Sequence, residues 1–538
     1  MVETLYARTS QVEIDSKLVS SQIIPEYMKS IKFPSIRLCF SILFLFLAFG
    51  VIATQEKQKE KDSQSDTNNS KKVLTTKEGL SDNNVYCMVK DSLGFIWIGT
   101  ANGLNCWDGS EIKTYHHQTG NANTVAGNDI LSLAADRSGN LWIATGEGIN
   151  RFNLKSGKFE LFSLPDTSNK SPTCDNAVTL LCDHDGTIWC ATCKGLDEFN
   201  VKQNKFIHHE NKTSSDATIQ KANNSINQIS EDRNYRLWVC TTRGLFLYEK
   251  LSGQFMKIGI GLNSGITTFN ENVNCIYQDH TGSLWVGTVN GGLKAFDAFS
   301  QTFETHRWSY SSSNPFQNTC YDICETKDSK GNYALMLSTE DGIEEFGKQH
   351  VVTPESKTLK YPSRFYSSVD GIWWILTSEG LNYTQTSTQK SLTPTVLLRE
   401  MKVNDSLYKW SENEKGDKVD TFDYKHNSFS FRFAVLSFID PSKNKFFCMM
   451  EGIDKDWKEV AGGKTEYNKL KPGNYIFKMR GSDANGIMNE TGDAFTFTII
   501  APFWQKTWFL VIIGGVIMLI VIATLIAFVR RRVKEKTI

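Results

Sequence analysis

Between Gly94 and Phe296 the chain repeats one arrangement of apolar and polar positions: a turn, a short apolar run centred on Trp, a polar loop and a second apolar run. The copies GFIWIGTANGLNCW, GNLWIATGEGINRF, GTIWCATCKGLDEF, YRLWVCTTRGLFLY and GSLWVGTVNGGLKAF align Trp97, Trp142, Trp189, Trp238 and Trp285 at spacings of 45, 47, 49 and 47 residues. LMLSTEDGIEEF is a degenerate sixth copy with Met336 at the Trp position, and WWILTSEGLNY is a shortened seventh with Trp374. Each copy divides into four short strand-like stretches; in the second they are Ile130–Ala135, Leu141–Ala144, Gly148–Asn153 and Lys158–Phe162. Such a period predicts propeller blades, because one blade buries its two faces only against neighbours and a closed ring leaves few exposed edges. The expectation is an all-β, seven-bladed β-propeller over residues 72–392. The repeated Trp residues should wedge between blades. The seventh copy stops near Thr384 after three strands, so Lys72–Thr76 is expected to supply its fourth and lock the ring.

From Pro394 the pattern changes. Ser428–Phe433, Lys445–Met450, Asn474–Arg480 and Ala494–Ile499 alternate apolar and polar residues with Gly, Asn and Asp turns between them. Period-two strands over about 105 residues predict an immunoglobulin-like β-sandwich, residues 393–502.

Two apolar runs frame these domains. Thr507–Val529 contains no charge, is long enough to cross a bilayer, and is followed at once by Arg530, Arg531, Arg532, Lys534 and Lys536. Positive charge marks the cytoplasmic side, and Trp504 and Trp508 occupy the opposite, interfacial end. Residues 507–529 therefore read as a C-terminal transmembrane helix and 530–538 as a basic cytoplasmic tail. Leu38–Ala53 follows Lys29, Lys32 and Arg37, and from Met28 it has the form of a signal peptide; the alternative is an N-terminal anchor over the same span, residues 28–54. Residues 1–27 then read as a start-site extension. Either way the following segment is exported. Residues 55–71 are polar enough to form a disordered linker.

Composition narrows the function. Net charge is zero among 538 residues, which argues against a nucleic-acid surface. The 12 Cys permit disulfides in an exported segment, but Cys87, Cys182, Cys190 and Cys275 fall in repeat strands as small core residues. The C-x-x-C of Cys190 and Cys193 lacks the second pair or βαβ setting that metal or redox chemistry needs. The nine His are scattered, with His116-His117 and His208-His209 at outer positions of the repeat. No metal and no cofactor is expected.

Asp91, Asp136 and Asp279 precede Gly94, Gly139 and Gly282 in an Asp-x-x-Gly turn, where Asp bonds the turn backbone and Gly takes positive φ. A motif repeated blade after blade is architecture. Alternating strand direction brings two groups of loops to one face. The loops between strands two and three carry Asn102, Glu147, Lys194, Arg243, Asn290, Asp341 and Glu379. The connections into strand one carry Asp82, Asn83, Asn128, Asp129, Asp175, Asn176, Asn224 and Asn272. These side chains differ between blades while the framework repeats, as expected of a binding rim on a rigid scaffold. Asn before a strand is equally a turn former, so the two roles compete at Asn83, Asn128 and Asn176.

The pattern D-x-x-G-x-x-W-x-x-T-x-x-G-[LI] resembles the two-component regulator propeller repeat. EGIDKDW at 451–457, Tyr467 and LKPGNYIFKMRGSDANG at 470–486 resemble the three-tyrosine (Y_Y_Y) domain, and APFWQKTWF at 501–509 is similar to its junction with a membrane helix. Tyr467 and Tyr475 stand at two of that domain's tyrosines; the first is Phe447 here. The resemblance implies the periplasmic sensor portion of a hybrid two-component receptor in the inner membrane of a Gram-negative bacterium. It implies an oligosaccharide ligand and a homodimer, with no enzyme activity in this chain. Two departures stand out: one propeller where many relatives carry two, and no kinase, receiver or DNA-binding module within the nine residues after the helix. The alternatives are a propeller enzyme acting on glycans and a membrane-tethered scaffold that binds protein.

Overall fold

The computed structural model describes residues 72–162, 164, 179–258, 271–297, 302–307, 318–327, 332–340, 342–346, 364–367, 372–385, 393–412 and 416–536. The expected signal peptide or anchor and linker lie outside them, as do Asp175, Asn176 and Asp341.

Seven sheets follow one another in the first domain. Blade 1 is Val85–Lys90, Ile96–Thr100, Gly103–Trp107 and Ile112–Tyr115, and blades 2 to 5 repeat this four-stranded antiparallel meander. Blade 6 has three described strands, Cys320–Lys327, Tyr333–Thr339 and Gly342–Glu345. Blade 7 contains Arg364–Ser367, Ile372–Thr377 and Gly380–Gln385. Its outermost strand is Lys72–Leu74, with Lys72 opposite Tyr383 and Leu74 opposite Leu381. The two ends of the propeller segment thus share one sheet, and the ring is closed by backbone hydrogen bonds.

The repeated residues do local work. In five blades the Trp indole N–H donates to the Asp six residues before it: Trp97 to Asp91, Trp142 to Asp136, Trp189 to Asp183, Trp238 to Asp232 and Trp285 to Asp279, all at 2.8–2.9 Å. The other carboxylate oxygen accepts backbone N–H groups of the turn, as Asp91 does from Leu93, Gly94 and Phe95. One side chain therefore fixes the hairpin and orients the Trp. In blade 4 Tyr235 replaces the turn Gly and holds φ +64°, a costly conformation for a bulky residue. Its ring stacks on His184 of blade 3 at 3.8 Å, an inter-blade contact that Gly could not make.

Each Trp reaches the next blade. Trp97 meets Phe152 at 5.6 Å, Trp142 meets Phe199 at 4.5 Å, Trp189 meets Tyr248 at 5.4 Å, Trp238 meets Phe296 at 6.1 Å and Trp285 meets Phe346 at 5.2 Å. Trp374 completes the circle against Trp107 of blade 1 at 6.1 Å. A buried aromatic of this size removes roughly 150–250 Å² from water, so these contacts add to the aliphatic clusters that hold neighbouring blades together.

The second domain is a sandwich of a four-stranded sheet, Ser406–Tyr408, Thr395–Val403, Phe429–Leu436 and Lys464–Tyr467, on a five-stranded one, Lys418–Asp423, Met488–Ile500, Gly473–Ser482, Lys445–Glu451 and Lys458–Glu459. Alternate residues face inward, giving a core of Phe429, Phe431, Phe433, Phe477, Phe495 and Phe497. Tyr475 donates to the Lys471 carbonyl at 2.7 Å and Tyr467 to Asp454 at 2.6 Å, so both hydroxyls tie loops to the core. The third site, Phe447, has no hydroxyl and lies under the Arg480 guanidinium at 5.8 Å.

The cysteine reading needs one amendment. Nine described cysteines are free thiols, mostly buried, and burial pushes Cys87 and Cys106 up to about 12. Cys193, however, is disulfide-bonded.

Candidate functional site

In all seven blades a Thr at the end of the second strand donates its hydroxyl to the carbonyl of the Gly that opens the third. Thr100 bonds Gly103 at 3.0 Å, Thr145 bonds Gly148 at 3.0 Å, Thr192 bonds Gly195 at 3.4 Å and Thr241 bonds Gly244 at 2.9 Å. Thr288, Thr339 and Thr377 do the same with Gly292, Gly342 and Gly380. The hydroxyl oxygen also accepts the loop residue's own N–H: Asn102, Glu147, Lys194, Arg243 and Glu379 are each held this way. The Gly residues adopt φ values such as +133° at Gly103 and +143° at Gly148, which only Gly adopts cheaply. The framework therefore fixes the backbone of the variable loop residue and leaves its side chain to differ.

These side chains share one face. Asn102, Glu147, Lys194, Asn290 and Glu379 are exposed and Arg243 is half-buried. Asn290 is tied down, accepting from Thr319 Oγ1 at 3.1 Å. In the connections into strand one, the Asn83 side-chain oxygen accepts Thr76 N–H at 2.8 Å and that of Asn128 accepts His117 N–H at 2.7 Å. Asn224 similarly accepts Asn211 N–H at 2.7 Å. The structure thus places these Asn residues as braces of the connections between blades, while the exposed side chains project from the strand-two to strand-three loops.

A column of polar residues two positions after the Gly at the start of the third strand lies beneath the rim, a feature not evident from the repeat. Asn105, Asn150, Asp197, Lys294 and Asn382 are buried there. Asn105 accepts Ser81 N–H and Asn150 accepts Ala126 N–H. Asp197 pairs with His208 at 3.0 Å and Lys294 with Glu271 at 3.1 Å. The signal available was a polar residue inside an otherwise apolar strand. On the opposite face, Asp183, His184 and Asp185 bring ligand-type atoms within 4.8 Å. There, however, His184 is held by Glu231 at 2.7 Å and stacked on Tyr235, as a clasp between blades 3 and 4.

The sandwich docks on that opposite face, under blades 7, 1 and 2. Phe438 packs on Trp107 at 4.9 Å and on Trp374 at 6.3 Å, and Ala434 and Leu436 join the same buried cluster. At its centre is Asp108 in the blade 1 hairpin, with no side-chain exposure, accepting from Arg432 at 2.6 Å with Arg399 at 3.6 Å. Burial alone would raise the Asp108 carboxyl; Arg432 and the N–H groups of Ser110 and Glu111 overrule this and hold it low. Glu111 pairs with Arg432 at 2.9 Å and Lys464 at 2.6 Å, and Lys155 of blade 2 pairs with Glu412 at 2.5 Å. Lys72 of blade 7 pairs with Asp440 at 2.5 Å; burial pushes that carboxyl up, but Lys72 overrides it and lowers it to about 2.

The last sandwich strand ends at Ile500, a short 3-10 turn covers Phe503–Gln505, and the apolar helix starts at Thr507. Trp504 in that turn contacts Tyr424 of the sandwich at 5.0 Å, edge to face. Thr507–Arg532 has a mean hydropathy of 3.1 and none of it is buried. Among the described residues it is the one helix long and apolar enough to cross a membrane.

Residues 79–102, 124–147, 220–243 and 269–290 match the two component regulator propeller, and residues 437–499 match the Y_Y_Y domain. The first four segments run into the second strands of blades 1, 2, 4 and 5. Histidine kinase P4 of Formosa agariphila is 29% identical over 119 residues, a match that spans 22% of this chain and 9% of that relative. The extracellular domain of a putative hybrid two component system from B. thetaiotaomicron aligns with a TM-score of 0.42 and 13% identity, over 80% of this chain and 100% of that one. A second such domain from the same organism aligns at 0.38 and 16% identity, over 78% and 69%.

Proposed function

We propose that this chain, a two-component regulator propeller joined to a Y_Y_Y domain, is the sensing ectodomain of a membrane two-component receptor. The propeller face turned away from the sandwich binds an oligosaccharide on the periplasmic side of a Gram-negative inner membrane. The sandwich relays the event to the helix, and two copies act as a homodimer. The chain acts as a binding module, and the kinase step belongs to a cytoplasmic module beyond the helix, in the same polypeptide or a partner.

One observation carries the reading. Firm contacts run without interruption from blade 1 through the Asp108–Arg432 pair into the sandwich, and from the sandwich through Tyr424 and Trp504 to the helix. A ligand can move that equilibrium only by binding two arrangements of these parts unequally. The opposite face, with Asn102, Glu147, Lys194, Arg243 and Glu379 on fixed loops, is left for the ligand.

The test is a thermal-shift screen of the detergent-solubilised chain against oligosaccharides, backed by crosslinking of a Cys placed at Trp508. A binding sugar should raise the melting midpoint by mass action and alter crosslinking between helices. Binding with no change at Trp508 would refute the relay; no shift with any sugar would refute the ligand class.

A further inference from the structure

We propose that the helix-proximal end of the sandwich docks on the headgroups of anionic phospholipid in the membrane that the helix crosses, through Lys425, Lys455, Lys469, Lys471 and Lys506. This rests on the reading of Thr507–Arg532 as a membrane span and adds a second, electrostatic hold of the ectodomain on the bilayer.

Strand register brings three loops to the end where the chain enters the helix. Asp423 lies opposite Ile500, Gly473 opposite Ile499 and Glu451 opposite Ile476, so loops 424–428, 468–472 and 452–457 surround the exit of the last strand. The loops are locked to one another and to the core. Leu470 N–H donates to the Asn427 carbonyl at 2.9 Å, and the Tyr467 and Tyr475 hydroxyls hold Asp454 and the Lys471 carbonyl. The two tyrosines of the domain therefore shape this end. Lys469 holds φ +57°, a conformation that Gly or Asn adopts more cheaply, so the turn itself does not ask for lysine.

The charges at this end are unmatched. All five lysines are exposed. Among the described residues none of them has a carboxylate within ion-pairing distance, whereas Lys418, Lys458, Lys464 and Lys478 of the same domain pair with Asp493, Asp454, Glu111 and Glu451. Lys425 lies 5.9 Å from the Tyr424 ring centroid, a contact that leaves its charge without a counter-ion. The remaining acids in and beside these loops are the exposed Asp423 and Asp456, so positive charge is in excess. Apolar side chains stand among the cations: Ile453, Phe503 and Trp504 are exposed, and Trp504 seats on Tyr424 just before the helix. Exposed lysine is ordinarily a solvated face. Here a long apolar helix starts directly after Lys506, which brings the five ammonium groups to headgroup level, where each lysine near an anionic surface favours association by roughly fivefold. The headgroups supply the missing counter-charge, and the interface accommodates the aromatic and aliphatic side chains.

The experiment inserts the full chain into nanodiscs of phosphatidylcholine alone and of roughly two parts phosphatidylcholine to one of phosphatidylglycerol, and follows hydrogen exchange of loops 452–457 and 468–472. Wild type is compared with the triple variant K425Q/K469Q/K471Q, with the charge-keeping K425R/K469R/K471R, and with K445Q, which removes an exposed lysine at the other end of the strand that closes on Glu451. The expected result is exchange about fivefold slower or more in the anionic discs, reverting to the neutral-disc rate at high salt and in the triple Gln variant. The Arg variant and K445Q should behave as wild type, and melting in detergent should be the same for all four chains. Equal exchange in the two kinds of disc, or slow exchange that survives the triple Gln variant, would overturn the docking while the membrane span stands. If alkaline extraction strips the full chain from vesicles of the same lipids, the span falls and the docking with it.

Discussion

Removing the Arg432 guanidinium leaves Asp108 charged, buried and short of its main counter-ion at the joint between propeller and sandwich. The Asp108 side chain has no exposure and that of Arg432 only 14%. Breaking one partner of a buried pair typically costs about 3–5 kcal/mol, because the survivor keeps its desolvation penalty. Here the loss is tempered: Arg399 remains at 3.6 Å, and Asp108 still accepts from Ser110 N–H, Ser110 Oγ and Glu111 N–H. Arg432→Ala should therefore cost about 3 kcal/mol, at the low end of that range. Asp108→Asn removes the charge and should cost less. The double variant should be more stable than the sum of the singles by about 1–3 kcal/mol, as expected for residues in direct contact. The assay is urea unfolding of the solubilised chain, with hydrogen exchange of the Asp108–Glu111 hairpin to separate undocking from global unfolding. Because the pair spans two domains, the hairpin should lose protection before the blade cores do. A coupling energy under about 0.5 kcal/mol, the usual tolerance for independent sites, would refute the claim that this pair holds the domains together. Unchanged hairpin protection in Arg432→Ala would refute it equally.

Three further outcomes follow from the same contacts. Asp232→Ala removes the acceptor of the Trp238 indole, of Asn234 and Arg236 N–H groups and of the Arg236 guanidinium; unfolding should show a loss of about 2–4 kcal/mol, and a loss below about 1 would contradict the structural role. Thr241→Val keeps volume but removes the hydroxyl that bonds Gly244 O and Arg243 N–H, costing about 1–2 kcal/mol; urea unfolding should show the loss, and wild-type stability would count against the loop device. In acid, Asp108, Asp183, Asp232, Asp279, Asp440 and Asp454 all have lowered pKa values in the fold, so their stabilisation is complete above the unfolded value of about 3.9 and is lost as pH falls toward about 2, where Asp440 titrates. Asp91 and Asp322 are raised by burial and act in the opposite sense, but they are fewer. Melting midpoints should be flat from pH 7 to about 5 and fall steeply below about 4; a midpoint that rises on acidification would refute this balance.

The sequence determined what repeats locally. Trp at a fixed offset from Asp, and Gly three residues after Thr, are contacts within one hairpin, so the blade count and the turn device were legible from spacing alone. Closure of the ring by Lys72–Leu74 was legible because a missing strand leaves an arithmetic gap, and the long apolar helix because an unbroken uncharged run from Thr507 to Val529 stands out in the sequence. Contacts between repeats were not. Asp183 and Asp232 serve their blades as Asp91 does, but a Tyr in the turn of blade 4 hid the second of them. Asn83 and Asn128 read both as ligand contacts and as turn formers, and the fold engages their side-chain oxygens with backbone N–H groups of the preceding connection. Least legible was the joint: Asp108 and Arg432 lie 324 residues apart, and nothing local distinguishes that Asp from any other hairpin carboxylate. Only docking of one domain on the other takes it out of water, and that loss of solvent is what sets this ion pair apart from the exposed ones.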